Sequence, residues 1–176
     1  MAVKFEIKRP SSPYVRYFLF AIVAIFLSYF QFMFENYISI AGITPDLILI
    51  LVVFISLTEG RFTGVIAGFL IGLLFDYISF DVIGTNALTK TCVAFFAGSF
   101  YRQGEEISIL GNSKFLAIIF GCSFIHNIIY FLFYLKLTDI SFMKFFVRFG
   151  IAFTLYTSVV ASTVMFYYMP KKEFRD

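Results

Sequence analysis

Six polar residues of this chain lie within or beside apolar runs, Asp46, Asp76, Lys90, His126, Asn127 and Arg148; all but the amide Asn127 could do acid–base or ion-pair chemistry. Three kinds of chemistry suit such a set. It could close on itself as a structural ion-pair network, hold a small polar molecule, or pass a proton or ion between an acid and a histidine. The structural network is the default, because an unpaired charge in a bilayer core costs at least about 2.5–3.5 kcal/mol. Asp76 therefore needs a partner. Lys90 is the first candidate and Arg148 the second, with His126 and Asn127 reaching the same layer. A lone histidine cannot complete a two-histidine metal or nucleophile site, and no GxSxG, HExxH or Walker loop is present. The expectation is no catalysis, no metal and no cofactor. Cys92 and Cys122 show no CxxC spacing and read as small packing residues.

The elements that must position these residues follow from composition. The 176 residues are 60% hydrophobic and 14% charged, with a mean hydropathy of +0.89. Soluble domains run nearer 45–50% apolar and about 25% charged. A soluble fold of this composition would expose large apolar patches, so the chain reads as an all-α, polytopic membrane helical bundle. At roughly 20 residues per span its length allows about six transmembrane helices and no separate aqueous domain. Residues 1–176 form one integral membrane domain, with 1–16 a basic cytoplasmic start and 170–176 a cytoplasmic tail. The net charge of +3 is too small to indicate a nucleic-acid partner.

Along the chain, the expected helices cover about Tyr17 to Phe34, a short apolar Leu47 to Leu57, Phe62 to Phe80, Asn86 to Tyr101, Phe115 to Leu135 and Phe145 to Met169. The second opens at Thr44-Pro45-Asp46, with Thr44 as N-cap and Pro45 at the first helical position. A five-span arrangement, with that short helix reassigned, is the alternative. With six spans both termini share one side. That side collects Lys4, Lys8, Arg9, Arg16, Arg61, Arg102, Lys114, Lys171, Lys172 and Arg175, whereas the opposite loops hold only Lys136 and Lys144. The asymmetry places both termini in the cytoplasm. Glu105 and Glu106 then read as a solvated cytoplasmic turn.

The third helix carries Gly64, Gly68 and Gly72, and the next step of four lands on Asp76. Lipid supplies no hydrophobic force between helices, so close backbone approach and polar bonds hold them together. The glycine stripe reads as such a packing face. Gly150, Thr154, Ser158 and Ser162 on the sixth helix, and Ala87, Thr91, Ala94 and Gly98 on the fourth, read the same way. These faces serve either internal packing or the docking of a partner's single helix.

The ordered set Pro45, Gly68, Gly72, Asp76, Gly84 and Gly98, within residues 42–102, resembles the bacterial rod shape-determining MreD family. Phe80-Asp81-Val82 and Lys90 depart from the family's usual pattern. The resemblance implies a non-catalytic subunit of the wall-elongation machinery in the bacterial cytoplasmic (inner) membrane. Implied partners are the membrane helix of MreC, MreB indirectly, RodA with its penicillin-binding transpeptidase, and membrane lipid; homo-oligomerisation stays open. The small-residue faces would receive MreC's helix. A second class with similar hydropathy is the vitamin-binding S-component of an energy-coupling-factor transporter, for which the outer-half polar cluster would be the pocket.

Overall fold

The computed structural model describes residues 12–40, 42–135 and 146–169. Lys4, Lys8, Arg9, Lys136, Lys144, Lys171, Lys172 and Arg175 lie outside the described residues, as does the side chain of Arg148. The regular elements are α1 Pro13–Ile38, α2 Leu47–Glu59, α3 Arg61–Ser79, α4 Thr85–Gly98, α5 Glu106–Leu110 and α6 Ser113–Leu135. A π-helical turn at Phe146–Gly150 then leads into α7, Ile151–Tyr168. No strand occurs among the described residues.

Four of these helices, α1, α3, α6 and α7, are long and apolar enough to cross a membrane. The other two expected spans are shorter. α2 has 13 residues and α4 has 14, so each covers only about 20 Å of a hydrocarbon core of about 30 Å. The shortness of α2 suits its place at the centre, where it touches α1, α3, α4, α6 and α7. Its sequence, LILILVVFISLTE, is apolar on every side because it is covered on nearly every side. α1 takes the opposite position. Only Ala24 and Ser28 of its 26 residues are buried, and its outer face is Phe, Tyr, Ile and Val.

The start of α2 differs from expectation in one residue that matters. Asp46, not Thr44, is the N-cap, and its Oδ1 accepts the Leu49 N–H at 2.7 Å. Pro45 stands just before the cap. Between α2 and α3 the expected four-residue link reduces to Gly60, whose φ of +91° favours glycine. Phe80 ends α3 in the left-handed region at φ +56°, a place glycine more often takes.

Ion pairs and hydrogen bonds mark the two ends. At one end Arg16 pairs with Glu59 at 2.7 Å and Arg61 donates to Ser99 at 2.6 Å. The loop expected there to be solvated contains α5. Its Glu106 is buried and accepts the Gly104 N–H at 3.0 Å, because α5 folds back against α6. At the opposite end the Tyr156 hydroxyl donates to the Ile38 carbonyl at 3.0 Å. Within the helices, Ser56, Thr58, Ser79, Thr91, Thr154 and Ser158 each donate to a carbonyl four residues back. That bond is how a hydroxyl is satisfied where no water is available.

Candidate functional site

The glycine stripe and Asp76 share one face of α3, and that face meets this chain's own helices. A β-carbon added at Gly68 would lie 2.7 Å from the Lys90 carbonyl oxygen of α4. At Gly72 it would lie 2.6 Å from both the Ala87 α-carbon and the Asn86 carbonyl oxygen. A β-carbon at Gly64 would run into Ser56 of α2, and one at Gly98 of α4 would lie 2.5 Å from the Arg61 α-carbon. No second backbone has room at these four glycines. The suggestion that the stripe receives a partner's helix is therefore corrected: α2 and α4 already occupy it. Gly150 sits against the Phe146 ring of its own turn, and its carbonyl faces α6.

The stripe ends in a carboxylate because α4 begins there. Asp76, fully buried, accepts three backbone N–H groups from the start of α4. Its Oδ2 takes those of Gly84 at 2.8 Å and Ala87 at 3.2 Å, and its Oδ1 that of Asn86 at 3.0 Å. A helix start offers orphan donors and a partial positive charge, and one carboxylate answers both. The expected Asp76–Lys90 pair thus does not form; the carboxylate is satisfied by backbone.

Lys90 pairs elsewhere. Its Nζ, completely buried, lies 3.1 Å from Asp46 Oδ2 and donates to Asn86 Oδ1 at 2.8 Å. It also sits over the Phe75 ring, 5.4 Å from the centroid. His126 brings Nε2 to 3.5 Å from the same Asp46 oxygen. Asp46 therefore caps α2 and faces both the Lys90 ammonium and the His126 ring. Asn127 turns toward α7, donating to the Gly150 carbonyl at 3.1 Å and to Thr154 Oγ1 at 3.0 Å. The structure brings Asp46, Lys90 and His126 together, sets Asp76 one helix start away, and uses Asn127 to join α6 to α7.

Sequence reasoning did not pick out several residues of this layer. Asn86 and Tyr130 stand four residues from Lys90 and His126, so helical spacing alone could have found them. Gln31, which accepts the Leu47 N–H at 2.9 Å, and Asp81, which accepts the Tyr130 hydroxyl at 2.7 Å, lie far away in sequence and carry no such signal. Around these groups is a cavity of about 330 Å³, lined by Gln31, Glu35, Asp46, Asp81, His126 and Tyr130 among others. Among the described residues no cluster of three or more His, Cys, Asp or Glu could hold a metal ion.

Asp76→Asn tests the backbone role. Asparagine keeps one carbonyl oxygen but turns an NH₂ toward one of the three donors. The expected loss is about 1.5–3 kcal/mol, read as a lower thermal midpoint in detergent. Unchanged stability would show that the start of α4 finds other acceptors.

Helices of membrane length, backbone contacts made through glycine and polar groups satisfied inside the bundle define an all-helical membrane protein. Within that class the chain belongs to the MreD family: the family described as rod shape-determining protein MreD matches residues 8–171. It is thus a membrane protein of the cell-shape system, and the likeness extends well beyond residues 42–102. The vitamin-transport alternative gains no support from this match. No match was found among curated proteins or solved structures.

Proposed function

We propose that this chain is a non-catalytic subunit of the wall-elongation machinery in the bacterial inner membrane, holding MreC and helping regulate peptidoglycan synthesis and cell shape. The observation that carries the reading is the family match over nearly the whole chain. The internal use of the polar layer supports it: Asp46, Asp76, Lys90 and Asn127 each have a bonded partner within the bundle. In this reading α2 and α4 complete six spans around the four longer helices, and both termini lie in the cytoplasm with the basic residues. MreC's membrane helix meets the lipid-facing surface, since the glycine stripe is already filled. MreB is reached indirectly, and RodA with its transpeptidase joins the same assembly.

Affinity purification of tagged protein from its native membrane in mild detergent tests this. Recovery of MreC together with RodA or the transpeptidase is the expected result. A pair of ATPases with a coupling membrane subunit, and no MreC, would overturn the proposal.

A further inference from the structure

The two short helices leave a recess at one end of the bundle. α2 and α4 begin at that end, whereas α1 continues from Gln31 to Ile38 and α6 from His126 to Leu135. Seven to nine further residues raise walls of about 10–14 Å above the helix starts. The recess is the 330 Å³ cavity, within the size range of small-molecule sites.

Its floor is electrically compensated. The partial positive charges of two helix N-termini and the Lys90 ammonium stand against the carboxylates of Asp46 and Asp76. Higher up, two further carboxylates line the recess, Glu35 at the exposed rim and the half-buried Asp81. Neither has a basic partner among the described residues. The aromatic rings of Phe75, Phe80, Tyr130, Phe131 and Phe153 complete the lining. Excess negative charge beside π-faces favours an organic cation.

A separate observation concerns hydrogen bonding. The His126 side chain is only 9% exposed and lines the recess, and its Nδ1 is buried with no hydrogen-bond partner among the described residues. Nε2 stands 3.5 Å from the Asp46 carboxylate, which favours the neutral tautomer with its proton on Nε2 and the lone pair on Nδ1. An atom in that state can only accept. What it lacks is a donor.

We propose that the recess binds a primary ammonium group, supplied by the ethanolamine headgroup of a lipid or by a free small amine. The ammonium donates to His126 Nδ1 and is balanced by Asp81 and Glu35. A quaternary ammonium has the charge but no N–H, so it lacks the bond to His126. This binding role goes beyond the wall-elongation reading and does not depend on it.

The test uses the full chain in detergent, with thermal midpoint and native mass spectrometry as readouts. Phosphatidylethanolamine, phosphatidylcholine and phosphatidylglycerol are each added, and ethanolamine and choline are titrated as free amines. Stabilisation and retention by phosphatidylethanolamine alone is the expected result for a lipid source; stabilisation by free ethanolamine as well identifies a soluble one. In both cases Asp81→Asn and the rim variant Glu35→Gln each weaken the response, Asp81→Asn by roughly tenfold. Equal effects of the ethanolamine and choline compounds would overturn the proposal. So would no amine response in the wild type, or a wild-type response in both variants. Glu35 is exposed and its side chain bonds no other group among the described residues, so its variant keeps the test informative if Asp81→Asn fails to fold.

Discussion

Gly72→Leu is expected to abolish the folded bundle, and even Gly72→Ala to cost about 1–3 kcal/mol as an overpacked contact. The reason is what the new atoms would meet. Ala87 and Asn86 present backbone at 2.6 Å, and backbone within a helix cannot swing aside as the tip of a side chain can. Moving α4 away would also pull its first turn off Asp76, so packing and capping fail together. Gly121 of α6 is the control. A β-carbon there would sit 3.4 Å from the Phe96 ring, close to ordinary contact. Gly121→Ala is expected to be neutral or to gain up to about 1 kcal/mol from helix propensity. Thermal unfolding and size-exclusion profiles in detergent distinguish the two. If Gly72→Ala and Gly121→Ala behaved alike, the α3–α4 contact would be looser than described.

The second large effect concerns the ion pair. Asp46→Asn keeps the cap on α2, since asparagine caps as well as aspartate, and removes only the charge. Lys90, with its side chain 0% exposed, is then left with Asn86 and a ring face. A stranded buried charge costs about 3–5 kcal/mol. Lys90→Met is expected to cost less, because Asp46 is 17% exposed, keeps the Leu49 N–H and still faces His126. The double variant Asp46→Asn, Lys90→Met should recover most of the loss, because it leaves neither charge alone. Simple addition of the two single costs would show that the charges are not coupled. Measured midpoints for the four proteins decide between these outcomes.

Composition and residue spacing alone identify the solvent, the class and the family. A chain 60% hydrophobic and 14% charged cannot bury its apolar surface in water, and that reasoning needs no coordinates. Five of the six expected helices fall within a few residues of the observed ones, since apolar runs and the turns between them are local properties. α1 runs four residues further at each end than the apolar stretch, because Pro13 opens it and the helix continues through the aromatic Phe34 to Ile38. The glycine stripe, too, was legible as a face, because a spacing of four is a property of one helix.

Tertiary structure decided which partner each face and charge takes. The cost of an unpaired charge in the bilayer makes Lys90 the first candidate partner for Asp76. Yet the start of α4 presents three N–H groups to Asp76 and turns Lys90 toward Asp46, 44 residues away in sequence. Spacing alone suits the stripe to internal packing first and to a partner's helix second, and the α3–α4 hairpin places Ala87 against Gly72. The recess was hidden for the same reason. It arises from the difference in reach between α2 and α4 and the taller α1 and α6, and a relation between helices is written in no single stretch of chain.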